Sequence, residues 1–205
     1  MIHFIDFDDS FNLNIVENLR RISHCEVTHF SLLDSLYSKI KAKDVICFGP
    51  GPGHVDDYKE INRTVSKLAL RDDIFLMGIC LGHQILLKTG FEAVVKKSPR
   101  PMHGRTIKLV YDGNRQDLKK LHAQVVQRYN SWCVEISNKD INILEDTLTD
   151  SLGELALVSI PNRFLTMQFH PESVGTSCPD IFFQPVAAFL RYSIYDGNNQ
   201  AKRNL

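Results

Sequence analysis

Short apolar runs that alternate with helical periodicity through the first half of the chain restrict its fold more than any other feature. Ile2 to Asp6 reads as a strand, after which Phe11, Ile15, Val16, Leu19 and Ile22 fall on one helical face, with Asp9 or Ser10 as the cap. Glu26 to Phe30 is the next strand, Leu32 to Ile40 a short helix, and Val45 to Phe48 a third strand. Ile61, Val65, Leu68 and Ala69 then make another helix face before a fourth strand at Ile74 to Gly78. Strands joined through helices return to the same end of a sheet and so run parallel. The pattern predicts an α/β fold, an open, mostly parallel sheet with helices on both faces. In such folds active sites gather beyond the carboxyl ends of the strands.

The second half changes character. Thr106 to Tyr111, Gln124 to Tyr129, Trp132 to Ile136, Leu155 to Ile160 and Phe164 to Phe169 all read as strands, and helices are scarce until Ile181 to Tyr195. These strands are expected to extend the same sheet as antiparallel hairpins, closed by a C-terminal helix with Val186, Phe189 and Leu190 on its inner side. No repeat, low-complexity tract or linker divides the 205 residues. One domain is expected over 1–195, followed by a basic tail, 196–205, at a frayed terminus.

Composition narrows the function classes. Lys and Arg number 24 against 24 Asp and Glu, so there is no excess positive charge for a phosphate backbone, and nucleic-acid binding is not expected. No uninterrupted apolar run approaches the ~20 residues of a membrane span, and Met1 to Asp6 reaches an acid too early for a signal peptide. The five cysteines, Cys25, Cys47, Cys80, Cys133 and Cys178, are odd in number and never form a Cys-x-x-Cys pair. Neither a disulfide framework nor a zinc ribbon is indicated, and a reducing cytoplasm suits them.

Chemistry concentrates at Ile74-Phe75-Leu76-Met77-Gly78-Ile79-Cys80-Leu81-Gly82-His83-Gln84, a buried strand that turns at a cysteine and leaves as a helix. Glycines two residues either side of Cys80 permit a cramped turn that projects the thiol beyond the sheet edge, the geometry of a nucleophile elbow. Positive potential at the helix N-terminus favours thiolate over thiol. A cysteine amid Ile, Leu and Met is more often a small buried hydrophobe, but a packing cysteine has no need of both glycines.

A cysteine nucleophile needs a base, and His170 is the best of eight histidines. Pro171 holds His170 in extended backbone, where residues two apart point to the same side. Glu172 thereby lies beside His170, able to fix its tautomer and stabilise the imidazolium. A metal reading fares worse, because a His-x-Glu zinc deaminase requires a downstream Pro-Cys-x-x-Cys and only Cys178 follows. Gly49-Pro50-Gly51-Pro52-Gly53 supplies a rigid loop that a substrate can approach closely, with the N–H groups of Gly53 and Leu81 as a candidate oxyanion hole. No phosphate-loop lysine follows that loop.

Taken in order, Gly49-Pro50-Gly51-Pro52-Gly53, Gly78-Ile79-Cys80-Leu81-Gly82-His83-Gln84 and Gln168-Phe169-His170-Pro171-Glu172-Ser173 resemble the class I glutamine amidotransferases. Asp9-Ser10-Phe11, Pro101-Met102-His103-Gly104 and Arg128-Tyr129-Asn130-Ser131 extend the resemblance over nearly the whole chain. Within that superfamily the chain is similar to the small glutaminase subunits of anthranilate synthase and aminodeoxychorismate synthase.

The resemblance implies Cys80 as nucleophile, His170 as general base and acid, and Glu172 as the third member of a triad. It also implies that Gly51, Pro52, Gly53, Leu81, Gln84, Ser131 and Trp132 hold L-glutamine. A large chorismate-binding synthase subunit is the expected partner. Magnesium is expected on that subunit, and no metal or cofactor on this chain. The chain departs from its relatives at Phe7-Asp8, where they usually carry Asn-Tyr, at Asn130 and Trp132, which replace His and Leu, and at His54-Val55-Asp56-Asp57. Two alternatives stay open: a stand-alone hydrolase of γ-glutamyl compounds, and a catalytically silent regulatory subunit on the same fold.

Overall fold

In a computed structural model of the chain, residues 1–136 and 147–201 are described, 192–201 through their backbone alone. The strands are β1 Ile2–Asp6, β2 Cys25–His29, β3 Val45–Phe48, β4 Phe75–Ile79, β5 Val94–Lys97, β6 Arg105–Val110, β7 Val125–Arg128, β8 Trp132–Glu135, β9 Thr147–Asp150, β10 Leu155–Ile160 and β11 Phe164–Met167. The α-helices are α1 Asn12–Arg20, α2 Leu33–Tyr37, α3 Asn62–Ala69, α4 Leu81–Phe91, α5 Gln116–Lys119 and α6 Asp180–Ala201.

The main sheet has the order β2-β1-β3-β4-β11-β10-β9-β6-β7. β2, β1, β3, β4 and β11 run parallel, and the remaining neighbours are antiparallel. The doubly covered parallel sheet read from the sequence is therefore the observed one. Side-chain alternation explains why both faces are dry. Ile2 and Phe4 of β1, Met77 and Ile79 of β4, and Leu165 and Met167 of β11 pack with Ile15, Leu19, Phe182 and Val186 of α1 and α6. Ile5, Phe48, Leu76 and Phe164 point the other way, into Leu33, Val65, Leu68 and Leu86 of α2, α3 and α4.

Three sequence expectations are corrected. Trp132 to Glu135 does not extend the main sheet but pairs with β5 as a separate two-stranded ribbon. β5, Val94-Val95-Lys96-Lys97, carries two lysines on four largely exposed residues, so its own apolar pattern is too weak to announce a partner. β9 was not expected as a strand: Thr-Leu-Thr-Asp is mostly polar and is held by β10 on one side and β6 on the other. Neither Asp9 nor Ser10 caps α1, which starts at Asn12 with Phe11 as the preceding residue and no side-chain cap. Asp9 instead accepts the N–H of Phe11 at 2.8 Å in a local turn, and so aims the Phe11 ring at the site described below. The C-terminal helix runs past Tyr195 to Ala201, and residues 202–205 of the expected tail lie outside the described residues. Among the described residues no helix is long and apolar enough to cross a membrane.

Candidate active site

β4 delivers Cys80 at its carboxyl end. Cys80 has φ 53° and ψ −102°, a positive φ that a side-chain-bearing residue rarely adopts and that marks a strained turn before α4. The flanking glycines act through close packing. A Cβ at Gly82 would sit 2.1 Å from the carbonyl oxygen of Phe48, and one at Gly78 would sit 2.7 Å from that of Gly82. With neither Cβ present, the first turn of α4 lies directly on β3 and β4, and the Gly82 N–H donates to the Gly49 carbonyl at 3.1 Å. This contact brings the nucleophile turn and the glycine-proline loop together.

β4 and β11 are neighbours, so the residues just beyond both strands meet at one edge. The Cys80 N–H donates to the Met167 carbonyl at 2.9 Å, and His170 follows three residues later. Its Nδ1 lies 2.7 Å from Oε1 of Glu172, and both side chains are buried. The Cys80 side chain acts on the same ring and favours its protonated form. Burial draws the His170 pKa down, but the hydrogen bonds to Cys80 and Glu172, with their charges, outweigh it and raise the pKa to about 10. The surroundings therefore favour the protonated imidazole. Phe11 and Tyr129 pack edgewise on the ring, each with centroids 5.1 Å away, and limit its rotation.

In front of the sulfur lies a cavity of about 460 Å³ lined by Gly51, Pro52, Gly53, Leu81, Gln84, Ser131 and Trp132, together with Cys80. Every glutamine-contacting residue expected from sequence is therefore on its wall. Gly53 has φ 75°, a left-handed conformation that glycine adopts without strain. The side-chain amide of Gln84 donates to Oε1 of Gln168 at 2.9 Å and to the Trp132 carbonyl at 3.3 Å, which leaves its oxygen for a ligand. A second cavity, about 270 Å³, lies near the amino ends of β4 and β11, away from this chemistry.

The departures from the family pattern have structural counterparts. Phe7 is fully buried, stacks on Phe30 and meets Tyr58 edge-on, and its Cβ would lie 2.6 Å from a Cβ at Gly51. It forms the floor beneath the glycine-proline loop. Asp8 has φ 62° and lies 3.2 Å from Nε2 of the His29 ring. Asn130 accepts from Arg128 at 3.0 Å and donates to the Trp132 carbonyl at 2.7 Å, so it fixes the cavity wall from behind. The Trp132 ring packs against His54 at 4.3 Å, joining that wall to the glycine-proline loop.

Sequence reasoning did not place His54, Asp57, His103, Tyr129 or Asn130 on the cavity wall. Asp57 takes the His54 N–H at 2.8 Å in a capping box, a local signal legible in His-x-x-Asp, though nothing in it announces a cavity. His103 reaches the site through a 3.2 Å contact with Ser131, from a loop far away in sequence. Among the described residues no cluster of three or more His, Cys, Asp or Glu could hold a metal ion.

Comparison with known proteins agrees with this geometry. The profile of the family Glutamine amidotransferase class-I matches residues 3–188. Anthranilate synthase component 2 of Cyanidium caldarium is 33% identical over 184 residues, 86% of this chain and 92% of that protein. Aminodeoxychorismate synthase of Streptomyces pristinaespiralis is 31% identical over 84% of this chain and 24% of its own greater length. Among solved structures, a Thermoplasma acidophilum protein superposes with a TM-score of 0.74 and 16% identity over 96% of both chains, a likeness of fold.

Proposed function

Because this chain belongs to the class I glutamine amidotransferases, we propose that it hydrolyses L-glutamine to glutamate and delivers the ammonia to a chorismate-aminating synthase subunit. The relatives named anthranilate synthase component 2 and aminodeoxychorismate synthase support that pathway. The observation that carries the reading is the placement of Cys80 beyond β4, and of the His170–Glu172 pair beyond neighbouring β11, with Cys80 on the wall of a cavity of about 460 Å³.

In this reading Gly51, Pro52, Gly53, Leu81, Gln84, Ser131 and Trp132 hold glutamine with its side-chain amide over the sulfur. Cys80 Sγ attacks the amide carbon, and the C–O π electrons move onto the oxygen, an oxyanion to which the N–H groups of Gly53 and Leu81 donate. The C–N bond then breaks as His170 gives its proton to the departing nitrogen, which leaves as ammonia, and a thioester remains. Water attacks the thioester, His170 takes the proton, and the C–S bond breaks to release glutamate and the thiolate. Glu172 keeps Nδ1 protonated throughout, so that Nε2 is the nitrogen that exchanges the proton.

Ammonia released into open water would be protonated and lose its nucleophilic lone pair. A large chorismate-binding subunit is therefore the proposed partner, receiving ammonia through an enclosed path, with magnesium on that subunit and no cofactor on this one. The five free cysteines fit a reducing cytoplasm as the working compartment. Replacing Cys80 with alanine is expected to abolish glutamine-dependent synthesis by the assembled complex and to leave ammonium-dependent synthesis intact. Equal loss of both activities would overturn the scheme, and glutamine turnover unaffected by any synthase would favour a stand-alone hydrolase.

A further inference from the structure

Gln127 takes no part in the chemistry just described, yet the segment that carries His170 is fastened to it. Its backbone carbonyl accepts the His170 N–H at 2.9 Å. Its own N–H donates to Oγ1 of Thr176 at 3.0 Å, and that hydroxyl donates to the His170 carbonyl at 2.7 Å. The side chain then closes a second ring of contacts. Oε1 accepts the Ser173 hydroxyl at 2.7 Å and the Gly175 N–H at 2.9 Å, while Nε2 donates to the Gly104 carbonyl at 3.0 Å.

Three features make this more than incidental loop bonding. A Cβ at Gly175 would lie 2.6 Å from Oε1 of Gln127, so the loop closes on the amide only because residue 175 is glycine. Ser173 also meets the Tyr129 hydroxyl at 3.2 Å, and the Tyr129 ring is one of the two packed on His170. Gly104 follows His103, which lines the cavity mouth. One primary amide thus joins the loop bearing the base to the turn bordering the substrate, using acceptor and donor at once. A carboxylate could serve the first arm but not the second.

We propose that Gln127 is a positioning residue whose side chain holds His170 and Glu172 in register with Cys80 and ties that loop to the cavity mouth. The proposal rests on the assignment of Cys80 and His170 made above. Without the acceptor oxygen, the loop from Ser173 to Gly175 loses two hydrogen bonds and the His170 ring loses its fixed distance to the sulfur. The backbone contacts of residue 127 remain in any variant, which isolates the side chain.

The test is the pH dependence of Cys80 labelling by 6-diazo-5-oxo-L-norleucine, an electrophilic glutamine analogue, followed by peptide mass spectrometry on the full chain. It is paired with glutamine turnover by wild type, Gln127→Ala and Gln127→Glu. Gln127→Ala is expected to label about tenfold more slowly or worse, since small misplacements of reacting groups carry large rate penalties. Its alkaline limb should move to lower pH, and kcat should fall with KM nearly unchanged. Gln127→Glu, which keeps the acceptor, is expected to stay within about threefold of wild type in labelling. Should Gln127→Ala fail to fold, Ser173→Ala opens the same clasp from its other side and is expected to show the same slowing and pH displacement. Labelling of Gln127→Ala at the wild-type rate and pH profile would overturn the proposal, as would equal losses in the Ala and Glu variants. Wild type that does not label at Cys80 would instead overturn the site assignment itself, and the proposal with it.

Discussion

Glu172 carries a buried carboxylate with one oxygen 2.7 Å from the His170 ring and, among the described residues, no hydrogen-bond partner for the other. Its hydrogen bond and charge are among the causes that raise the His170 pKa to about 10. Glu172→Gln keeps the shape and removes the charge. The variant is expected to lose on the order of 10² or more in kcat, and because the His170 pKa falls, the alkaline limb of its pH profile should move to lower pH. Unchanged turnover and an unchanged limb would show that the carboxylate does not set the state of the imidazole. At this scale the pair was legible from its two-residue spacing, but the extended backbone expected through Pro171 is instead a turn, closed by the Ser173 N–H on the His170 carbonyl at 3.3 Å, and it is this turn that brings Glu172 to the ring. Asp57 and His103 were not legible, because each becomes part of the site only through loops that meet in space.

The elements around the site are held by contacts that tolerate little change. Gly82 lets α4 rest on β3, and a methyl group there would collide with the Phe48 carbonyl at 2.1 Å. Gly82→Ala is expected to destabilise the fold by about 1–3 kcal/mol, as overpacked positions do, and to lower kcat because Leu81 and Cys80 move with the helix. Denaturant midpoints and glutamine turnover on the same preparation test both effects, and a fully active, equally stable variant would contradict the packing account. At the end of β7, buried Arg128 bridges Asp150 and Glu154, and Glu154 is also bonded by the Ser98 hydroxyl at 2.5 Å. Arg128→Met would strand two buried carboxylates and is expected to cost about 3–5 kcal/mol, with chemical denaturation as the measurement. The β8 misreading belongs to this scale. Apolar alternation reveals that a segment is a strand, but the pairing with β5 joins segments separated by β6, α5 and β7, and Val134 of β8 then packs in the same core as Leu86 and Leu87 of α4.

Across the whole molecule, the face of the sheet under α4 conceals a titratable group. His83 is fully buried, neither ring nitrogen meets a hydrogen-bond partner among the described residues, and burial together with the Arg128 charge lowers its pKa to about 3. A depressed folded-state value means that its contribution to stability is complete above the ordinary histidine value of about 6.5 and is lost as pH falls toward 3. The acid-side loss from this one group is expected to be on the order of a few kcal/mol. His83→Leu should flatten the stability profile between those pH values, and a profile of the same slope in urea titrations would remove His83 as its source. Sequence alone determined the parallel α/β architecture, the nucleophile turn and the His170 and Glu172 pair, because periodicity, glycine spacing and a separation of two residues act over short stretches of chain. Tertiary structure alone decided that Cys80 meets His170, that β5 and β8 form a separate ribbon and that Gln127 fastens the base loop. Each of those joins segments separated by tens of residues, where the pairing is selected by the total burial and hydrogen bonding of the packed chain and leaves no local pattern to read.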